Sequence, residues 1–87
     1  MDDLLNELAK ANNCFISDLT RRSYLKRVIH YITITDSTQY ENKIWHETYR
    51  YLTAKDFEKK SSEDIKQALV IELIDQYKRK MIEENTL

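Results

Sequence analysis

Neither glycine nor proline occurs anywhere in these 87 residues. Gly-rich phosphate loops are therefore excluded, and any tight turn falls to Asn, Asp or Ser. Cysteine is almost as scarce. Cys14 stands alone, so no internal disulfide and no cysteine-based zinc site is available, as expected of a protein kept in a reducing cytosol. No run of about 18 apolar residues is present, and the N-terminus is acidic where a secretory signal would be basic. These features predict a cytoplasmic protein without a membrane span. Neither sign of charge dominates, since 14 Lys and Arg face 15 Asp and Glu for a net charge of −1. Such a balance gives no global pull toward nucleic acid or membrane.

Catalytic motifs are missing too. His46 to Arg50, HETYR, opens like a zinc-protease HExxH, but Arg50 stands where the second histidine is needed. His30 and His46 have no neighbouring ligand pattern, which argues against a metal site. No nucleophile elbow and no paired-carboxylate signal is found. The expectation is a protein with no catalytic residues, no metal and no cofactor.

What is present centres on Ser61 to Met81. A serine oxygen at Ser61 or Ser62 can accept from backbone N–H groups two or three residues on, and Ser61 with Asp64 forms a loose capping box. Glu63 and Asp64 then sit at the positive end of a helix dipole, with Lys78, Arg79 and Lys80 near the other end. Ile65, Leu69, Leu73, Tyr77 and Met81 recur every fourth residue, and Ala68, Val70, Ile71 and Ile74 widen that stripe. A helix so broadly apolar asks for cover on several sides, from its own chain or a second copy.

Ahead of it, Asp2 to Ala11 has a helical stripe of Leu4, Leu5, Leu8 and Ala11, capped by Asp2 or Asp3 and broken at Asn12 and Asn13. Cys14, beside Phe15, has no cationic neighbour to activate it and reads as a small buried residue. From Thr20 to Thr35 the charge changes sign: Arg21, Arg22, Lys26 and Arg27 occur without a single acid, interleaved with Tyr24, His30 and Tyr31. Within that segment Val28 to Thr35, VIHYITIT, carries the strongest β signal in the chain. Ile32 and Ile34 would share one face of a strand, and Tyr31, Thr33 and Thr35 the other. A lone strand needs a partner for its ladder groups, which predicts pairing with a second copy or elsewhere in the chain.

Asp36 with Gln39, or Thr38 with Glu41, can open the next helix as a capping box. Its stripe would run through Tyr40, Ile44, Thr48, Tyr51 and Leu52, with Trp45 beside it. Lys43 to Thr53 is also rich in β formers, but the capping signals favour helix. Thr53 to Lys60 reads as a connector with Phe57 as its core anchor, and the tail from Glu83 should fray.

The order of basic segment, short strand, helix, Ser-Ser-Glu-Asp and long apolar helix resembles the ribbon–helix–helix family of DNA-binding dimers. The resemblance lies in ITIT at Ile32 to Thr35, the helix opening at Asp36 to Thr38 and SSEDIKQAL at Ser61 to Leu69. It covers about Val28 to Lys80 and implies a mainly α fold with one short β-strand, while a chain of 87 residues makes a single domain over 1–87. A strand–helix–helix unit at 28–82 would follow an N-terminal helical extension at 1–26. It further implies a homodimer regulating transcription, of the plasmid or phage type, through a strand ribbon in the major groove of duplex DNA. Tyr31, Thr33 and Thr35 would face base edges, and Ser61, Ser62 and Glu63 would offer phosphate-facing N–H groups. Arg21, Arg22, Lys26 and Arg27 are the basic side chains best suited to phosphates.

Two other architectures fit the same pattern. One is an α+β fold with a hairpin of about 24–35 and 43–53 packed on the long C-terminal helix; the other is an all-α bundle. A second function, from another class, is a non-enzymatic protein-binding module, an inhibitor or adaptor. It would use an acidic, aromatic-rich surface around Trp45, Tyr49 and Tyr51, since such residues anchor protein interfaces.

Overall fold

Residues 28–34, all but the last of the segment with the strongest β signal, are helical. The computed structural model describes residues 3–56 and 61–85. It contains α1 (Leu4–Asn12), α2 (Arg22–Ile34), α3 (Asn42–Thr53) and α4 (Ser62–Asn85), with short 3-10 turns at Ile16–Asp18 and Ser37–Gln39. No strand occurs among the described residues. The strand–helix–helix arrangement predicted from the ribbon–helix–helix resemblance is therefore overturned, as is the hairpin at about 24–35 and 43–53. The all-α bundle is the architecture that fits.

The physical reason lies in the spacing of the buried positions. Leu25, Val28, Ile32 and Thr35 are all buried, at intervals of three, four and three that only a helix brings to one face. Ile32 and Ile34, expected on one side of a strand, part company: Ile32 is fully buried and Ile34 is 66% exposed. Two threonines that favour strands are accommodated by bonding back to the preceding turn. Thr33 Oγ1 donates to the carbonyl of Ile29 at 2.7 Å and Thr35 Oγ1 to that of Tyr31 at 2.6 Å.

One apolar cluster draws on every helix: Leu4 and Leu8 of α1, Leu25, Val28 and Ile32 of α2, Trp45, Tyr49 and Leu52 of α3, and Ile65, Leu69 and Leu73 of α4. Leu4 and Leu8 place the N-terminal segment in contact with this core. Asp3 caps α1, accepting from the N–H of Asn6 at 2.9 Å. The helix ends at Asn13, whose φ of 51° supplies the left-handed turn. Phe57, the predicted anchor of the connector, lies outside the described residues.

The capping box that forms is Asp36 with Gln39, and it closes the 3-10 turn instead of opening α3. α3 starts later, at Asn42, and this frame buries Trp45, Thr48, Tyr49 and Leu52. α4 begins as its sequence predicts, with Ser61 Oγ accepting from the N–H of Asp64 at 3.2 Å. It packs against both α2 and α3 and continues through Glu83, where fraying was expected, to Asn85. α4 runs antiparallel to α2: the Lys80 ammonium donates to the carbonyl of Thr20, while Thr33 lines a groove with Lys66 and Gln67.

Candidate nucleic-acid interface

The helical period rearranges the basic segment. Arg22, Lys26 and His30 fall on one line at intervals of four along the outer face of α2, with Arg27 beside them, and all four are exposed. No acid interrupts α2. Arg21, just ahead of the helix, is held to Asp18 by an ion pair of 3.0 Å. No ion pair holds Lys26 or Arg27 among the described residues.

Lys26, Arg27, His30 and half-buried Tyr31 line one side of an open groove of about 520 Å³, and Ala11 and Asn12 of α1 form the other. Asn12 is rigidly placed, since its amide donates to the carbonyl of Leu8 at 2.8 Å and the residue is buried. The groove thus pairs two cationic side chains and an imidazole with a phenol ring on a fixed wall. It can accept an anion with a planar or sugar-like neighbour through charge and stacking. The sequence reading places His30 within the basic segment and Asn12 at a helix end, but names neither as a contact. The signal for His30 was present in the four-residue interval from Arg22 and Lys26, which has meaning only on a helix.

The other predicted DNA contacts do not line this groove. Thr33, seven residues on from Lys26 and three from His30, shares the exposed side of α2 but lines a separate groove of about 320 Å³ with Lys66, Gln67, Val70 and Ile71. Thr35 is buried, and both threonine hydroxyls are committed to backbone carbonyls. Readout by Tyr31, Thr33 and Thr35 as one outward strand face has no counterpart, because these three residues point in different directions on a helix. Ser61 and Ser62 stand at the start of α4, where Ser61 is engaged as its cap.

The aromatic surface expected of a protein-binding module is divided in the same way. Trp45 is fully buried and Tyr49 is 4% exposed, so only Tyr51 reaches solvent. The Trp45 indole packs edge-on against Tyr40, with ring centroids 6.2 Å apart.

HETYR serves a structural contact. His46 Nε2 lies 3.1 Å from Asp56 Oδ1, and Arg50 Nε approaches the same oxygen at 4.0 Å. This cluster draws residue 56 back onto α3 beside a shallow groove lined by Glu47, Arg50, Tyr51, Ala54 and Lys55. No group of three metal-ligating side chains is found among the described residues. Burial, and secondarily the nearby Asp18 carboxylate, pushes the Cys14 thiol above its ordinary pKa. No described helix is long and apolar enough to cross a membrane. Among known proteins, no family model, no curated protein and no solved structure matches this chain.

Proposed function

We propose that the protein binds duplex DNA through the outer face of α2. The observation that carries this reading is the exposed, acid-free row of Arg22, Lys26, Arg27 and His30 on one helix. An α-helix with its side chains is about 10–12 Å across, which matches the major groove at about 12 Å. Exposed guanidinium and ammonium groups on such a helix reach phosphates on either wall of that groove, and each phosphate neutralised releases condensed counterions. With a net charge of −1, the chain carries −4 outside Arg22, Lys26 and Arg27, so the remainder offers the duplex no net attraction. Tyr31 and Asn12, at the rim of the same groove, supply a ring and an amide beside the cations.

Binding of a random-sequence duplex at low salt, read by fluorescence anisotropy, tests the reading. The wild-type protein should bind, and Lys26→Ala with Arg27→Ala should weaken binding while leaving the helical circular dichroism unchanged, since both side chains are exposed. Absence of binding by the wild type, or equal binding by the double variant, refutes it.

A further inference from the structure

The side of α4 turned away from the core carries large apolar residues that are exposed. Ile71 is 67% exposed, Ile82 62% and Ile74 37%, and half-buried Val70 and Met81 border them. Gln67, Ile71, Ile74, Lys78 and Met81 follow one another at intervals of four, three, four and three, the spacing of a coiled-coil seam. α4 is also the longest helix, with 24 residues, so this seam runs well beyond a single turn.

Charge along the seam identifies its occupant. The first turn of α4 is acidic, with Glu63 and Asp64, and Lys78 stands in the seam near the other end. Asp64 and Lys78 lie one heptad either side of Ile71. Two parallel copies would set like charges against each other. Two antiparallel copies, related by a two-fold axis beside Ile71, bring the Ile71 and Ile74 side chains together at the centre. They also set each Lys78 against the Asp64 end of the partner.

We propose that this face of α4 docks a second copy of the same chain, antiparallel, as an isologous interface. Lys78 in the seam then fixes the alignment, as buried polar residues do in coiled coils, because any shift by a heptad separates it from Asp64. Arg79 is already paired with Asp75 of its own helix and takes no necessary part. The inference is independent of the DNA reading, because it rests on α4 and its test contains no nucleic acid.

The test is sedimentation equilibrium in the micromolar range, followed by cross-linking. The wild type should be a dimer and Ile71→Lys a monomer of unchanged helicity, since residue 71 is mostly exposed. In a Cys14→Ala background, a short bismaleimide should join Ile71→Cys chains to themselves. Asp64→Cys should join to Lys78→Cys in a mixture, while neither of these two should join to itself. A wild type that stays monomeric, an Ile71→Lys variant that stays dimeric, or self-joining at residues 64 and 78 each overturns the proposal.

Discussion

The indole N–H of Trp45 donates to the backbone carbonyl of Ser37 at 2.9 Å, tying α3 to the 3-10 turn that precedes it. Trp45 is the largest fully buried side chain, and this bond satisfies the one polar atom its burial would otherwise strand. Trp45→Ala should therefore cost about 3–5 kcal/mol of stability. Trp45→Phe keeps much of the volume but leaves the Ser37 carbonyl without its donor, at about 1–3 kcal/mol. Urea unfolding of both variants checks the order; a phenylalanine variant as stable as wild type would show that the bond carries no weight.

On α4, Leu69 and Leu73 are fully buried between α2 and α3. Truncating either to alanine removes apolar contact and leaves a cavity, for a loss of about 2–5 kcal/mol. In a domain whose total stability is of the order of 5–15 kcal/mol, such a loss leaves a partly unfolded population that calorimetry will detect. Losses under about 0.5 kcal/mol, the range of ordinary surface substitutions, would place these residues outside the core.

A chain without glycine must close its helices with other residues, and at Ala54 the strain is measurable. Ala54 caps α3 with φ at 58°, in the left-handed region. A Cβ there costs about 1–2 kcal/mol, and glycine gives back part of that gain through its freer unfolded chain. Ala54→Gly should raise stability by about 0.5–1 kcal/mol by these two terms. A decrease in melting temperature would contradict the account.

Asp36 offers a pH-dependent check. Its carboxylate accepts from the Thr38 N–H at 3.0 Å and from the Thr38 hydroxyl at 2.9 Å. These bonds, with a smaller contribution from Lys66, hold its pKa below the ordinary aspartate value. A carboxyl group whose pKa falls on folding stabilises the native state above its unfolded pKa, about 4 for aspartate. That contribution is lost as pH drops through the folded value. The stability gap between wild type and Asp36→Ala should be present at neutral pH and narrow steadily below about pH 4. A gap that widens on acidification would exclude the bonded carboxylate.

Sequence patterns were informative where one local rule decided the outcome. Ser61 as a cap and the Leu69–Leu73 stripe follow from hydroxyl chemistry and a four-residue period, and both are found. Val28 to Thr35 misled because β propensity is a weak preference that packing overrides. The three-four-three spacing from Leu25 to Thr35 was the stronger signal, and it is seen only when the preceding Leu25 is counted. The stripe that places Tyr51 inward is also overturned, since Tyr51 is 51% exposed and Tyr49 is 4% exposed. Tyr40, counted in that stripe, precedes α3, and without it the buried set is Trp45, Thr48, Tyr49 and Leu52 on a neighbouring face. The basic character of the candidate site was legible in the composition of Thr20 to Thr35. Its geometry was not, because the outward set on a strand differs from the outward set on a helix.

The central claim is that α2 presents one cationic face to a duplex, and the dependence of binding on salt tests it most directly. Each phosphate contact contributes a slope of about −0.9 to a plot of log affinity against log salt. Lys26→Ala and Arg27→Ala should each flatten the wild-type slope by about that amount and weaken binding alike for all duplex sequences. Thr33→Ala, which removes no charge, should leave the slope unchanged. A wild-type affinity indifferent to salt, or slopes in the Lys26 and Arg27 variants equal to wild type, would contradict the account.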